Sequence, residues 1–504
     1  MLAAAPISLR MQNGTLLAAV DLGSNSYRME IGRYEHGQIH RVEYLKETVR
    51  QGGGLDAARN LTPDAMRRGW DCLARFAERI AGFKRAQVRA VATQTLREAR
   101  NRDEFLAKAR QVLGFPIDVI SGREEARLIY LGVAHLLPQS DERRLVVDIG
   151  GRSSELILGQ QFEARVTESY RVGSVAWSMK YFPQGQFTAQ AFEAAEIAAK
   201  AVLDEALSAY HREAWDMAYG SSGTIGAVAD ILGAAGWEPG SITTDGLDWL
   251  HERLLAGKSA DRVKLDGLKD DRRPVIGGGL SVLRAVFDLL GIEEMHAAEG
   301  ALRHGALFDL LDREQGETDI RSTTVQRLAT KFGADPAQAA RVGRIACQFL
   351  RQLRSADAPA ELARHERKLA WAAQLHEIGS QISHSDYHKH GAYILDNADA
   401  PGFALPELHR LGLLVLGHRG KLRKLEADFE DELFVHQLLC LRLAVILCHA
   451  RREPDLKGMQ LRVTDQRVTL TPRSDWPAAY PQSAHLLREE TIAWQKTPWT
   501  FTLG

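Results

Sequence analysis

The sequence predicts an α/β protein of two related halves, followed by a helical region and a small α+β module. Up to residue 311, short apolar runs alternate with loops and helical patterns, which is typical of a mostly parallel sheet in each half. From Asp312 to residue 450 the pattern is helical almost throughout, and after Lys457 it alternates as in a hairpin. The length of 504 residues suits roughly three or four domains.

The first half opens with a buried strand that ends in an aspartate and a turn. Residues 16–20 are a short apolar run, and Asp21 follows directly. The turn consists of small residues: Gly23, Ser24, Asn25 and Ser26. Successive N–H groups of such a turn bind anions, and glycine lets the backbone approach a ligand closely. We expect Asp21 to face the cation that accompanies the anion.

The same pattern recurs in the second half, where an apolar run again ends in an aspartate, Asp148. The small residues that follow are Gly150, Gly151, Ser153 and Ser154. The two aspartates lie 127 residues apart, a period too long for a solenoid. Two such loops facing each other across a cleft would hold one polyanion from both sides. Chance recurrence is the alternative.

Local signals place the other elements of the first half. Strands over 28–34 and 38–45 flank Gly37, as in a hairpin. Thr62 and Pro63 are the N-cap and first residue of a helix. A strand over 88–92, a helix to about residue 113 and a strand over 117–120 complete this half. The next helix carries Glu124 and Glu125, which point about 100° apart, so at most one faces a given cleft while the other stabilises the helix N-terminus.

The second half continues in the same order. A strand over 155–158 and a long helix near 190–210 precede a strand over 217–219 and the loop at 220–224. A glycine-rich turn then opens a helix over 280–290; its residues are Gly277, Gly278 and Gly279. Residues 1–14, ahead of the first strand, resemble a flexible arm.

Composition excludes several classes of function. The formal net charge of −1 provides no overall field for nucleic acid or an anionic membrane. No apolar run is long enough to span a membrane, and the N-terminus lacks the features of a signal peptide. The four cysteines form no CxxC pair, which is typical of a reducing compartment. We therefore predict a cytoplasmic protein.

The C-terminal part carries two further clusters. A group of histidines and cations would guide a long polyanion or form a solvated basic face: His384, His388, His390, Arg419, Lys421, Arg423 and Lys424. The tryptophans of the tail are interpreted as packing residues rather than a ligand platform: Trp476, Trp494 and Trp499.

Eight motifs give the chain a recognisable resemblance: DLGSNS, VATQTLREARN, SGREEARLIYLGV, DIGGRSSE, SYRVGSVA, GSSGT, EGALRHG and LHEIGSQISHS. In this order they resemble the family of exopolyphosphatases and guanosine pentaphosphate phosphohydrolases over essentially the whole chain. The resemblance implies two actin/Hsp70/sugar-kinase-like (ribonuclease H-like) domains, over 15–134 and 135–311. It also implies a helical HD-like domain over 312–450 and a small domain over 451–504. We expect a homodimer.

The resemblance also implies roles for individual residues. Glu125 looks like the general base that activates the attacking water. Asp148 and Glu155 resemble acidic partners that hold Mg²⁺, or another divalent cation, or assist the water, with Asp21 on the other side of the metal. Backbone amides of both loops would hold the last phosphates, and Arg97 would be a bidentate phosphate clamp. A surface salt bridge is the alternative for Arg97.

Two positions depart from the family pattern. Arg152 stands where the second loop usually has a third glycine. Either this backbone is strained, or the guanidinium faces the cleft and adds a phosphate ligand; we favour the second. The pair His376–Glu377 replaces the His-Asp of HD phosphohydrolases, so we interpret the helical domain as non-catalytic.

The leading functional hypothesis is an exopolyphosphatase that processively removes terminal orthophosphate from inorganic polyphosphate. The alternative within the same chemistry is hydrolysis of guanosine pentaphosphate. Two further hypotheses are an ATP-binding kinase or chaperone-like regulator, using GSSGT and residues 277–279, and a non-catalytic polyphosphate or nucleotide sensor.

Overall fold

The computed structural model describes residues 12–313 and 319–504, so the predicted arm lies outside the described residues except for its last three. The chain divides into two compact units, Met1–Asp319 and Ile320–Gly504. The division falls a few residues beyond the predicted boundary at 312. The first unit contains two lobes, each built on one sheet.

Lobe I is a five-stranded sheet with helices packed on it. Its elements in chain order are β1 (Leu16–Leu22), β2 (Tyr27–Glu35), β3 (Gln38–Glu47), α1 (Pro63–Arg79), β4 (Val88–Ala92), α2 (Gln94–Glu98), α3 (Arg102–Leu113) and β5 (Ile117–Val119). The predicted N-cap holds, because the Thr62 hydroxyl accepts from the Ala65 N–H at 3.4 Å and Pro63 begins α1. A 3-10 turn, Gln51–Gly54, lies between β3 and α1.

Lobe II is a six-stranded sheet entered through helix α4 (Gly122–Leu136). Its elements are β6 (Arg143–Ile149), β7 (Ser154–Gln160), β8 (Glu163–Tyr170), α5 (Ser174–Tyr181), α6 (Ala189–Leu203), β9 (Met217–Ser221), α7 (Ser222–Ala234), β10 (Ser241–Thr243), α8 (Thr244–Gly257), α9 (Ile276–Leu290) and β11 (Glu294–Ala297). The predicted helix near 190–210 ends earlier, at Leu203, and continues as a 3-10 turn.

The two sheets repeat one topology. Lobe I has the order β3-β2-β1-β4-β5, and lobe II has β8-β7-β6-β9-β11 with β10 added at the edge. The sheets are mixed rather than mostly parallel as predicted: the first three strands of each lobe pair antiparallel, and the next two join in parallel. The repeat places the ends of β1 and β6, and thus Asp21 and Asp148, at equivalent positions.

Two helices exchange between the lobes. Helix α4 leaves lobe I and packs on β7 and β8, whereas α10 (Leu302–Arg313) leaves lobe II and packs on β1, β2 and β4. They cross so closely that a Cβ at Gly305 would overlap the Leu128 carbonyl oxygen, and one at Gly132 that of Ala301. The glycines therefore allow the backbone contact that joins the lobes.

The second unit is helical with a small sheet. Its elements are α11 (Ile320–Lys331), α12 (Pro336–Leu353), α13 (Pro359–Leu375), α14 (Tyr387–Asn397), α15 (Leu405–Gly417), α16 (Glu432–Leu447), β12 (Gln460–Thr464), β13 (Arg467–Thr471), α17 (Trp476–Ala479), α18 (Pro481–Trp494) and β14 (Thr500–Leu503). One continuous core, from Val325 to Phe501, joins the helices to the sheet. Trp476, Trp494 and Trp499 are buried in it, as predicted.

All four cysteines are free and buried: Cys72 in the first unit, and Cys347, Cys440 and Cys448 in the second. Burial raises the pKa of each thiol, to about 12 for Cys347 and about 11 for Cys448. Among the residues described, no helix is long and apolar enough to cross a bilayer.

Candidate active site

A polar cavity of about 270 Å³ lies between the two lobes, where β1 and β6 end. Both predicted loops line it. The contributing residues are Asp21, Gly23, Ser24, Asn25 and Ser26 from lobe I, and Asp148, Gly150, Gly151 and Ser153 from lobe II. The two motifs therefore face one space, as their repetition predicted.

The first loop turns tightly between β1 and β2. Leu22 pairs with Tyr27, which puts Asp21 opposite Arg28, and the Arg28 Nη1 lies 3.4 Å from Asp21 Oδ2. The 3-10 turn holds the loop from behind, because the Gly52 N–H donates to the Ser24 carbonyl oxygen at 2.8 Å. Arg28 lies only two residues after Ser26, but it was not predicted as a site residue.

Three buried polar atoms of this loop have no hydrogen-bond partner among the described residues: Asp21 Oδ1, Asn25 Nδ2 and Ser26 Oγ. Buried polar groups are almost always hydrogen-bonded, so unpaired ones in a cavity wall indicate a ligand. The amide and hydroxyl are donors that fit phosphate oxygens, and the carboxylate oxygen is an acceptor that fits a cation or water. The loop is thus suited to an anion accompanied by a cation.

The second loop is held by its own backbone and by α5. The Gly150 N–H donates to the Ser153 carbonyl oxygen at 2.9 Å, and the Ser174 N–H donates to the Gly150 carbonyl oxygen at 2.9 Å. Ser154 differs from the prediction: it is fully buried, and its hydroxyl donates to the Val172 carbonyl oxygen at 2.6 Å rather than lining the cavity. Of the residues predicted to bind phosphate in this loop, Gly150, Gly151 and Ser153 line the cavity.

Acidic side chains lie side by side at this edge of lobe II. Asp148 on β6 is directly opposite Glu155 on β7, and Glu155 Oε1 accepts a hydrogen bond from the Ser169 hydroxyl at 2.7 Å. Burial raises the pKa of Asp148 to about 6, against the lowering effects of Ser221 and Arg28. Burial, and then the charges of Glu125 and Asp148, raise the pKa of Glu155 well above its usual range. Glu155 lies behind the cavity wall rather than in it.

Glu125 lies in the first turn of α4 and lines the cavity. Burial raises its pKa to about 7, although the neighbouring Arg97 lowers it. A carboxyl group with a pKa near neutrality is suited to accept a proton at working pH. Its neighbour Glu124 points away and pairs with Arg127, whose Nε donates to Glu124 Oε2 at 2.8 Å. The predicted division of the two glutamates is therefore found.

Arg97 lies against Glu125 instead of in the cavity wall. Its Nη1 donates to Glu125 Oε2 at 2.7 Å and to the Ile120 carbonyl oxygen at 3.0 Å. Its Nε and Nη2 both donate to Gln94 Oε1, at 3.1 and 2.6 Å. With these groups engaged, Arg97 does not offer the bidentate fork to phosphate that the resemblance implied, and it differs from the alternative of a surface salt bridge because it is largely buried.

Four cations that sequence reasoning missed line the cavity: Arg28, Lys46, Arg272 and Arg303. Lys46 donates to Asp271 Oδ2 at 2.7 Å, and Arg303 Nε donates to Glu30 Oε2 at 2.7 Å. Arg272 is buried, yet its closest carboxylate in the described part of the chain is 3.8 Å away. Lys46, Arg272 and Arg303 come from segments distant from the two loops, so no local pattern marks them.

The GSSGT segment also reaches the cavity, through Ser222, Gly223 and Thr224. Ser222 has a φ of 96°, a backbone conformation that residues other than glycine rarely adopt. Such residues cluster at functional sites. In contrast, Gly277, Gly278 and Gly279 are not a turn: they lie inside the first turns of α9, buried against α5 and Phe187. Their position therefore gives no support to the hypothesis of an ATP-binding regulator in which residues 277–279 bind the nucleotide.

Arg152 takes neither of the two predicted arrangements. Its φ lies outside the left-handed region, and its side chain is absent from the cavity wall among the described residues. Instead Nη1 donates to the Gly52 carbonyl oxygen at 3.2 Å and Nη2 to Glu98 Oε2 at 3.1 Å, both in lobe I.

The donor set fits a magnesium ion of the kind that phosphate substrates bring with them. In residues 12–313 and 319–504, no three acidic, histidine or cysteine side chains are arranged to hold a metal by themselves. Mg²⁺ commonly binds through one or two carboxylates plus phosphate oxygens and water. Asp21, with its unpartnered Oδ1, and Asp148 line the cavity and match that requirement.

The second unit offers no comparable centre among its described residues. The His376 Nδ1 lies 2.6 Å from the Ala373 carbonyl oxygen, and Glu377 pairs with Arg451 at 2.8 Å. These contacts are structural. The HD-like character of the unit and its contact with a polyanion stay predictions.

Similarity to known proteins extends over nearly the whole chain. The sequence profile of the Ppx/GppA phosphatase family matches residues 31–314, and that of Ppx/GppA phosphatase, domain III, matches residues 320–491. A guanosine-5'-triphosphate,3'-diphosphate pyrophosphatase of Vibrio cholerae is 39% identical over 487 residues, which are 95% of this chain and 97% of the relative. The enzyme of the same name from Pseudoalteromonas translucida is 37% identical, covering 96% and 97%.

A solved structure shares the architecture of more than half of this chain. The crystal structure of an exopolyphosphatase-like protein matches with a TM-score of 0.53 and 25% identity. The match covers 58% of this chain and 97% of the solved chain.

Proposed function

This chain belongs to the Ppx/GppA phosphatase family, and on that premise we propose that it hydrolyses the terminal phosphoanhydride of guanosine 5'-triphosphate,3'-diphosphate. The products are orthophosphate and the nucleotide with one phosphate fewer. The names of the relatives from V. cholerae and P. translucida support this substrate. The identity extends over nearly the full length of both proteins.

The observation that carries the proposal is the set of unpaired polar atoms in the first loop. Asn25 Nδ2 and Ser26 Oγ are donors without acceptors, and they share the cavity with four cations. Phosphate oxygens are the acceptors that such a site lacks. A terminal phosphate between the two loops would satisfy the donors and balance part of the positive charge.

Glu125 is the residue we assign as general base. Its carboxylate takes a proton from water as the water oxygen bonds to the terminal phosphorus, and the bond from phosphorus to the bridging oxygen breaks. The electron pair stays on the departing phosphate, next to Arg28, Arg272 and Arg303, which favour its charge. Asp21 and Asp148 would hold Mg²⁺, which neutralises phosphate charge when bound.

A second substrate, inorganic polyphosphate, uses the same chemistry. The sequence ranked it first, but the relatives favour the nucleotide. What supports polyphosphate is the likeness of 58% of this chain to an exopolyphosphatase-like structure. Both substrates end in the same phosphoanhydride.

The test is orthophosphate release with Mg²⁺ from guanosine 5'-triphosphate,3'-diphosphate and from long-chain polyphosphate in parallel. We expect a higher kcat/KM for the nucleotide than for polyphosphate. Glu125→Gln should lower kcat about 10²–10⁴-fold, the usual contribution of a general base. Asp216→Asn is the matched control, because it alters an exposed ion pair with Arg143 at the far end of β6.

Each outcome separates the hypotheses. Faster release from polyphosphate restores the exopolyphosphatase assignment, and full activity of Glu125→Gln removes Glu125 as the base. Tight binding without release from either substrate indicates a sensor. A cytoplasmic location and a homodimer stay predictions; sedimentation of the purified chain tests the second.

A further inference from the structure

We propose that Arg152 is a positioning residue that links the second phosphate loop to Glu125 through a chain of hydrogen-bonded side chains. The inference rests on the proposed function, because it assigns Glu125 as the base. Arg152 lies in the loop at residues 150–154, but its guanidinium reaches across the cleft into lobe I.

The chain is continuous from one lobe to the other. Arg152 Nη2 donates to Glu98 Oε2 at 3.1 Å, and Gln94 Nε2 donates to Glu98 Oε1 at 2.7 Å. Gln94 Oε1 accepts from Arg97 Nη2 at 2.6 Å, and Arg97 Nη1 donates to Glu125 Oε2 at 2.7 Å. Each carboxylate and amide thus uses one atom toward each neighbour.

The geometry of the chain is fixed by burial and by close packing. The side chains of Glu98, Arg97 and Glu125 are 14%, 12% and 10% exposed. Arg152 also donates to the Gly52 carbonyl oxygen at 3.2 Å, and a Cβ at Gly52 would lie 2.9 Å from Arg152 Cδ. The arginine stem therefore fits against the 3-10 turn only because residue 52 is glycine.

The short helix α2 joins both phosphate loops to the base. Besides Gln94, Arg97 and Glu98, it contains Thr95, whose hydroxyl donates to Ser24 Oγ of the first loop at 2.8 Å. Arg152 is the member contributed by lobe II. Contact between Arg152 and Glu98 joins the two lobes, so the hydrogen-bonded chain depends on their arrangement in this structure.

The consequence is that the position of the second loop and the orientation of Glu125 are coupled. Without Arg152, Glu98 has lost one of its two side-chain partners, and Gln94 and Arg97 are less constrained. Arg97 is the side chain that holds the Glu125 carboxylate. A base that points in the wrong direction lowers the rate of the chemical step without weakening substrate binding.

This role differs measurably from direct phosphate binding. A phosphate ligand contributes to substrate affinity, so its removal raises KM. A positioning residue that acts through Glu125 changes kcat. The two readings therefore separate in steady-state kinetics of the full chain.

The experiment measures kcat and KM of Arg152→Ala, Gln94→Ala and the double variant, on whichever substrate the wild type hydrolyses. We expect each single change to lower kcat about tenfold with KM within twofold, and the double variant to be no slower than the singles. Arg152→Lys should recover part of kcat, because its ammonium can still reach Glu98. Asp216→Asn is again the control.

Three results would overturn the proposal. They are a raised KM with unchanged kcat in Arg152→Ala, full activity of Gln94→Ala, and multiplicative effects in the double variant. Thermal unfolding gives an independent readout if the wild type turns over neither substrate. We expect Arg152→Ala and Glu98→Ala each to lower Tm and their combination to lower it no further, whereas additive shifts would contradict the link.

Discussion

Glu124 and Glu125 are neighbours in the sequence, both are buried, and they have opposite electrostatic environments. Glu124 faces Arg127, which also donates to Asp309 Oδ1 at 2.6 Å. Glu125 lies within the electrostatic influence of Asp21, Asp148 and Glu155, and Arg97 is the cation that contacts it. One residue of helix rotation therefore separates a paired network from a cluster of acids.

The comparison shows that counter-charge, rather than burial, decides the state of a buried acid. Asp309 is almost fully buried, which would raise its pKa, but Arg313, Arg127 and Arg89 hold that pKa well below the usual range. Burial raises the pKa of Glu125 to about 7, because its single arginine does not compensate for burial and the neighbouring acids. The paired network holds its acids ionised, and the acid cluster contains the group that we propose as general base.

Arg127→Ala breaks the paired side of the comparison and should have the largest effect. It leaves Glu124 and Asp309 buried without their shared cation, which costs about 3–5 kcal/mol when a buried pair is broken. Urea unfolding at neutral pH measures the loss. A cost below about 1 kcal/mol, as for a surface pair, would contradict the network's role.

Glu30→Gln tests a second paired acid by its pH dependence. Burial would raise the pKa of Glu30, but His304 and Arg303 lower it to about 2. Because this value lies below the usual 4.5, the stabilisation is present above pH 4.5 and is lost as the pH falls through about 2. We expect the variant to be about 3 kcal/mol less stable at pH 7 and equal to the wild type near pH 2. A constant difference would contradict the ion pair as its cause.

Glu125→Gln should show the opposite sign in metal-free buffer. The pKa of about 7 lies above the usual 4.5, so the folded chain holds this proton more tightly, and stability falls as the pH rises through that window. The amide cannot ionise but still accepts from Arg97. We expect the variant to be about 1–3 kcal/mol more stable than the wild type at pH 8 and equal to it at pH 4.5. Equal stability of the two proteins at pH 8 would argue against a raised pKa of Glu125.

Arg143→Ala sets the lower limit of the comparison. Arg143 pairs with Asp216 at 2.6 Å, and both side chains are 45% exposed. Exposed pairs contribute about 0–1 kcal/mol, and salt screens them. Urea unfolding at low and high salt should show a small loss that disappears with salt. A loss near that of Arg127→Ala would remove the distinction between exposed and buried pairs.

The sequence was most informative where local chemistry determines structure. The strand over 88–92 was predicted with the observed bounds of β4, and the two Asp–Gly–Ser loops were found facing one cavity. Helix geometry predicted that at most one of Glu124 and Glu125 faces the cavity, and the family resemblance indicated Glu125. Ser154 was predicted as a loop residue, whereas β7 begins at Ser154, one residue before the predicted strand over 155–158.

Features that depend on contacts between residues far apart in the sequence could not be predicted from local sequence patterns. Arg272 lies shortly before α9, and Arg303 lies in α10. Only the fold brings these two side chains to the cavity. The strands β10 and β11 are three and four residues long, too short to produce a pattern. Residues 277–279 were predicted as a turn because glycine usually marks one. Here they begin a helix that packs tightly on α5.

The four buried thiols make the chain its own reporter of local opening. A cysteine reacts with an alkylating reagent as an exposed thiolate, and these are neither exposed nor ionised at neutral pH. Labelling therefore proceeds only through conformations in which the surrounding structure has opened. Mass-spectrometric mapping of Cys72 would follow α1 in lobe I, and Cys440 would follow α16. Labelling rates with and without substrate would show which region a bound phosphate protects.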